Sequence, residues 1–158
     1  MSYNRKEIGP YEFIESFKRN TGLLVSMDKN RKPNVMALDW KTIQEFEDVP
    51  VIRAQVDYSR YTYKLLTEGV NEFTVNIPSD KMYNAVYIAG SYSGRNTDKF
   101  KEAGLETIPG KRTKVPTIKD CILSYECQII YTSKSDLKSH HFFYGRILIA
   151  FASDEIIK

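Results

Sequence analysis

Residues 90–100, Gly90-Ser91-Tyr92-Ser93-Gly94-Arg95-Asn96-Thr97-Asp98-Lys99-Phe100, gather two glycines, three hydroxyl side chains besides Tyr92 and two cations into one short stretch. Glycines let a turn expose its backbone N–H groups, and those groups with Ser and Thr hydroxyls form an anion-binding concavity. Arg95 and Lys99 add the positive charge that a phosphate requires. A second stretch, Ser59-Arg60-Tyr61-Thr62, offers hydroxyls and a cation where a helix is about to start. The free N–H groups and the dipole of a helix start also favour an anion. Both stretches have a plain structural reading as well. Residues 90–100 suit a polar turn between two helices, with Asn96 or Thr97 capping the second, and residues 59–62 suit an ordinary helix cap.

The other reactive side chains exclude more than they offer. Cys121 and Cys127 fall on one expected strand, where six residues separate them by about 20 Å. A disulfide tolerates only about 7 Å between α-carbons, so both read as small buried side chains. His140 and His141 are adjacent and point to opposite faces of a strand. No Cys/His cluster has metal-ligand spacing, so no zinc site is expected. No catalytic triad or acid pair is visible.

With 158 residues and 42% apolar content, the chain is read as one globular domain over residues 1–158. The net charge of +3 lacks the basic stripe of a dedicated nucleic-acid binder, and the cluster Lys111, Arg112, Lys114 reads as a solvated loop. No apolar run approaches the roughly 20 residues that span a bilayer. The start of the chain, Met1-Ser-Tyr-Asn-Arg-Lys-Glu7, carries no apolar signal region, so a cytoplasmic location is expected.

The elements that must position these residues follow from periodicity. After a lead-in with a short helical piece at 11–17, residues 21–27 and 34–38 read as a hairpin. Residues 40–46 read as a turn or two of helix before Pro50. Strands follow at 51–58 and 72–77, and helices at 61–68, 80–89 and 97–103, with Gly69, Pro78 and Gly104 as stops. Residues 105–119 read as an irregular loop, and two long strands close the chain. On the first, Cys121, Leu123, Tyr125, Cys127, Ile129 and Tyr131 share a face; the second, 142–151, is apolar on both faces and central. There is no regular βαβ alternation and no G-x-G-x-x-G after a strand, which argues against a Rossmann domain and favours an antiparallel barrel carrying a few helices.

Four segments in order, 34–40, 59–62, 72–76 and 90–100, resemble the flavin reductase-like family, the FMN-binding split β-barrel proteins that include flavoredoxin. The resemblance covers about Thr21 to Phe151, and the late segment with His141, Phe142, Phe143 and Gly145 looks like the family's closing strand. It implies a mainly β fold with short helices, an antiparallel Greek-key split β-barrel of FMN-binding type. It also implies an FMN site. Asn34, Met36, Ala37, Leu38, Asp39 and Trp40 look like the segment along the flavin ring. Ser59, Arg60, Tyr61 and Thr62 look like the phosphate segment, and Ser91, Ser93, Gly94 and Lys99 like the loop that closes over the cofactor. Asn76 and His141 match positions near it. Taken singly, Asn76 also suits a polar sheet residue, Trp40 a core aromatic and His141 a satisfied strand histidine.

The implied activity is that of an FMN-dependent oxidoreductase. It is either an NAD(P)H-dependent flavin reductase or a flavoredoxin-like electron carrier with a protein partner, and no nicotinamide-binding motif is visible. Flavin supplies the redox chemistry, which agrees with the missing triad. Relatives often carry small hydroxyl residues just before the tryptophan, where this chain has Ala37 and Asp39; a carboxylate facing the ring would disfavour the anionic reduced flavin. A homodimer with the flavin at its interface is implied. The doubly apolar 142–151 strand and the 105–119 loop also present more surface than one small barrel hides. No nucleic-acid or membrane partner is expected. The competing reading is a non-enzymatic small barrel that binds single-stranded nucleic acid, with eleven tyrosines and eight phenylalanines as stacking platforms.

Overall fold

The computed structural model describes residues 4–157; Met1–Tyr3, part of the lead-in and of the N-terminal stretch read above, lie outside them. The described residues form ten strands and five α-helices in the order β1 (Arg5–Ile8), α1 (Ile14–Arg19), β2 (Gly22–Met27), β3 (Pro33–Leu38), β4 (Lys41–Phe46), β5 (Val49–Asp57), α2 (Tyr61–Glu68), β6 (Glu72–Ile77), α3 (Tyr83–Ser91), α4 (Lys99–Ala103), β7 (Thr107–Ile108), β8 (Thr117–Ile118), β9 (Leu123–Lys134), β10 (His140–Ser153) and α5 (Asp154–Ile157). A 3-10 turn, Asp80–Met82, leads into α3. The main sheet runs β3-β2-β6-β9-β10-β5-β4, with β1 added on β10, and all its pairings are antiparallel. Its end strands β3 and β4 are consecutive in sequence but do not pair, so the barrel is split, and Asp39–Trp40 crosses the gap.

Two apolar clusters fill this frame. The barrel interior holds Phe17, Leu24, Ile52, Phe73, Val75, Tyr125, Phe143 and their neighbours. The second lies on the outer face of the β2–β3 hairpin, where Leu23, Val25 and Val35 meet Ala89 of α3 and partly buried Phe100 of α4. Strand β2 therefore buries every side chain, as its unbroken apolar run requires. The same arrangement presses α3 and α4, with the glycine-rich turn between them, against β3. Asp98 caps α4 by accepting from the Lys101 N–H, in place of Asn96 or Thr97, and left-handed Gly104 closes it.

Three expectations are corrected. Residues 41–46 form strand β4, paired with β5 through a two-residue turn at Glu47–Asp48, both in the left-handed region. Alternating Lys41, Ile43, Glu45 and Thr42, Gln44, Phe46 suits a strand, and the β5 partner decides the matter. Cys121 precedes β9, and both cysteines are buried and free. The β9 face does not extend to Tyr131. Ile129 pairs Gly145 while Tyr131 pairs Tyr144, so Ile130 is an extra residue, and the bulge leaves Ile130 and Tyr131 exposed.

Strand β10 is covered by its own chain, by β5 and β9 along its first half and by β9 and β1 along its second. The long loop is likewise held down. The buried Glu126 carboxylate accepts the Lys111, Arg112 and Thr113 N–H groups at 3.0, 2.6 and 3.1 Å, and Glu72 accepts that of Lys114 at 2.7 Å.

Candidate functional site

Two adjoining cavities open beside the split. The first, about 390 Å³, lies between the loop entering α2 and the α3–α4 turn, and the second, about 260 Å³, lies along the end of β3. They share Met36, Asp57 and Arg60, and together they fall in the size range of small-molecule sites. A cavity of about 500 Å³ near the ends of the described chain is larger, but it mixes Arg5 and Lys81 with Asp120, Asp154 and Glu155. It lacks the bias for an anion that the 390 Å³ cavity has.

The floor of that cavity is buried and polar. Asn34 and Thr62 are almost inaccessible, and Asn34 Nδ2 donates to Thr62 Oγ1 at 3.3 Å. Lys99, 4% exposed, donates from Nζ to the Ala89 carbonyl at 2.8 Å. Burial, and then the charge of Arg60, hold its ammonium down to about 8. Arg60 donates to the Gly90 carbonyl at 3.4 Å, and Arg95 to the Ser59 carbonyl at 3.3 Å. Asp57 is the one carboxylate in the lining; it accepts the Ser59 N–H at 2.7 Å, and that hydrogen bond is the chief cause of its lowered pKa. Three cations against one carboxylate, with the Ser59, Ser91, Ser93 and Thr62 hydroxyls, form an anion site. The start of α2 faces the same cavity with no side chain capping it.

The 260 Å³ cavity is lined by Met36, Ala37, Leu38, Asp39, Trp40, Gln55, Asp57, Arg60 and His140. Among the described residues strand β3 pairs only with β2, so half of its backbone N–H and C=O groups point away from that partner. Such an edge suits a planar heterocycle with both donors and acceptors on its rim. Trp40 is half exposed, and its ring lies 4.8 Å from that of His140. Asp39 is also exposed, and its carboxylate accepts from the Thr21 hydroxyl at 2.5 Å. The buried Lys41 next to it donates to the Asn20 carbonyl at 2.6 Å, and burial lowers its ammonium to about 8 against the opposing pull of Asp39.

Of the residues singled out in the sequence, Asn34 and Met36 through Trp40, Ser59 through Thr62, Ser91, Ser93, Gly94 and Lys99 line one or both cavities. Two do not. Asn76 is fully buried in β6, where it donates to the Leu23 carbonyl and the Thr74 hydroxyl and accepts from the Ile118 N–H and the Ser124 hydroxyl. Its hydrogen-bonding capacity is spent on joining β2, β8 and β9. His141 points away from the ring cavity and packs on Tyr58, Tyr63 and Phe143, with Nδ1 3.1 Å from the Tyr58 hydroxyl. Its neighbour His140, paired with Asp57 across β5, takes the place in the cavity. Gln55, Asp57, Tyr92 and Arg95 also line the site. The alternation of β5 puts Gln55 and Asp57 on one face, and only the β5–β10 register shows that His140 joins them.

Among the described residues no group of His, Cys, Asp or Glu could hold a metal ion, and no helix is long and apolar enough to cross a membrane. Flavoredoxin of Desulfovibrio vulgaris is 28% identical, with a TM-score of 0.77 over 88% of this chain and 72% of its own. Flavoredoxin from Methanosarcina acetivorans is also 28% identical, with a TM-score of 0.75 over 88% of this chain and 71% of its own. An FMN-binding domain of a flavin reductase-like enzyme from Shewanella baltica shares the split-barrel fold at 17% identity, with a TM-score of 0.82 over all of this chain and 82% of its own. Among sequence relatives, an uncharacterised protein of Pyrococcus abyssi is 34% identical over 79% of this chain and 69% of its own length, and one of Archaeoglobus fulgidus 33% identical over 74% and 64%. The chain thus spans about two thirds of the length of these relatives. Residues 14–155 match the family described as flavin reductase like domain, and the chain belongs to that family.

Proposed function

We propose that the chain binds FMN across the two cavities and acts as a flavoredoxin-like FMN-dependent oxidoreductase. The observation that carries this reading is the pairing of a buried, cation-rich anion pocket with an edge-strand cavity beside Trp40 and His140. Family membership and the likeness to two flavoredoxins support it. Lys99, Arg60, Thr62, Ser59 and Ser93 would hold the phosphate. The outer edge of β3, with Ala37 and Leu38, would hold the ring.

When bound, FMN supplies the transfer of a hydride or of single electrons. The chain's own residues bind and orient it. The cavity cations offset the phosphate charge, and Met36 and Leu38, largely buried in the barrel core, give a firm wall. Trp40 limits water access from the open side, and Asp39 sets a negative charge at the ring end of the site. His140, held by the Ser139 hydroxyl 2.7 Å from its Nδ1, lies where it can orient a reacting molecule in this cavity.

A homodimer belongs to the same reading. Trp40, Tyr131 and Ile130 are 50%, 50% and 42% exposed, and Tyr131 packs with Phe46 and Tyr144 into an aromatic patch on the β4-β5-β10-β9 face that also carries the ring cavity. A second copy would cover this patch and shield the ring cavity. Titration with FMN, followed by NAD(P)H oxidation under anaerobic conditions, tests the activity. Bound FMN that NAD(P)H does not reduce, but a small reduced electron carrier does, assigns the protein to electron carriage. Failure of both donors to reduce bound FMN contradicts an oxidoreductase role. Sedimentation of a monomer at micromolar concentration with FMN bound would remove the dimer from the account.

A further inference from the structure

Arg95 stands apart from the other cations of the anion cavity. Lys99 is buried at its floor with Asn34 and Thr62, whereas Arg95 and Ser59 are exposed at its rim. Arg95 leaves the α3–α4 turn and reaches the opposite wall. Its Nη1 donates to the Ser59 carbonyl at 3.3 Å, and its guanidinium carbon sits 5.3 Å from the centre of the Tyr61 ring. The turn behind it is firmly seated. The Arg95 N–H donates to Ser93 Oγ at 3.2 Å and the Asn96 N–H to the Ser93 carbonyl at 3.3 Å. Gly94 lies so close to the far wall that a Cβ there would fall 2.0 Å from Asn34 Oδ1 and 2.9 Å from Tyr61 Cδ2. The absence of a side chain at Gly94 is therefore what lets the turn close, and Arg95 bolts it across the rim.

We propose that this Arg95 bridge determines which flavin the site accepts: it closes the phosphate end, so that a flavin ending in a single phosphate fits and one whose phosphate continues into a second nucleotide does not. The inference rests on the FMN reading above. A terminal phosphate ends inside the cavity, among Lys99, Arg60 and Thr62. The diphosphate of FAD must leave through the rim, and there it has to displace the guanidinium from both the Ser59 carbonyl and the Tyr61 ring. Breaking one hydrogen bond and one exposed cation–π contact costs FAD about ten-fold in affinity. The same bridge stands in the exit path of any flavin, with or without a phosphate.

The test uses the full chain and its Arg95→Ala and Arg95→Gln variants, with equilibrium titrations of FMN, FAD and riboflavin and dissociation rates from dilution. Removal of the bridge is expected to tighten FAD binding by about ten-fold, while FMN and riboflavin leave faster by a similar factor as each other. FAD affinity that is unchanged or weaker in both variants overturns the proposal. So does acceleration of FMN release alone, which would make Arg95 a simple phosphate ligand. Wild-type protein that binds no flavin would overturn the FMN reading and this inference with it. Wild-type protein that binds FAD as tightly as FMN overturns this inference alone.

Discussion

Lys99→Ala removes the deepest cation of the anion cavity, and its effect should depend on whether the ligand carries a phosphate. Lys99 is 4% exposed, and its ammonium donates to a carbonyl, the Ala89 oxygen, at 2.8 Å. A charge-assisted hydrogen bond from such a group is worth about 1.5–3 kcal/mol, so FMN binding should weaken by roughly ten- to a hundred-fold. Riboflavin, with the same ring and ribityl chain, should bind almost as before. The pH dependence follows from the same residue. Burial first and Arg60 second lower its pKa to about 8, so the free protein holds the charge below that pH and loses it as pH rises through it. A phosphate monoester is already a dianion above about pH 7. FMN binding above about pH 8 must therefore take up a proton, and its Kd should rise toward about ten-fold per pH unit. Flavin fluorescence titrations from about pH 7 to about pH 9.5 read both effects. Arg60→Ala should also cost FMN affinity, but should move the pH midpoint upward, because Arg60 is one of the two causes of the depression. Equal losses for FMN and riboflavin in Lys99→Ala, or a pH-independent FMN Kd in the wild type, would refute the phosphate assignment.

Other consequences are accessible by routine methods. Asp39→Ser removes a negative charge from the ring cavity and should raise the flavin midpoint potential by about 10–40 mV, from about 0.5–2 kcal/mol of repulsion in a half-solvated setting; a redox titration showing no change would place the carboxylate outside the field of the ring. Glu126→Gln keeps one acceptor but turns an amide N–H₂ toward a loop N–H. It should cost about 2–4 kcal/mol in denaturant unfolding and speed hydrogen exchange at Lys111–Thr113. Replacing Glu47–Asp48 by Asn-Gly relieves two left-handed non-glycine residues at φ 52° and 67° and should add about 1 kcal/mol. A loss of stability there would mean that the Glu47 or Asp48 side chain has a role beyond the turn.

Where punctuation was local, the sequence was legible. Gly69 and Pro78 bound α2 and β6, and both elements follow the expected limits. Strand β4 was hidden because its hairpin turn is Glu-Asp in place of Asn-Gly, so the strongest short-range hairpin signal is missing. The β9 bulge is likewise silent in one sequence, since the extra residue, Ile130, differs in no way from its apolar neighbours. In the site, the hydroxyl, glycine and cation clusters stand out by composition, and they line the anion cavity. Asn76 and His140 do not stand out. A strand asparagine that ties four segments together looks the same in sequence as one that meets a ligand. Which of two adjacent histidines enters a cavity depends on long-range register, here the pairing of His140 with Asp57.

Equilibrium dialysis of the purified chain against FMN, with the retained flavin read by its absorption near about 450 nm, tests the central claim most directly. The account predicts saturation at one FMN per chain, with riboflavin bound at least about ten-fold more weakly because it forgoes the phosphate contacts to Lys99, Arg60 and Thr62. No retained flavin at saturating FMN, or equal retention of FMN and riboflavin, would contradict it.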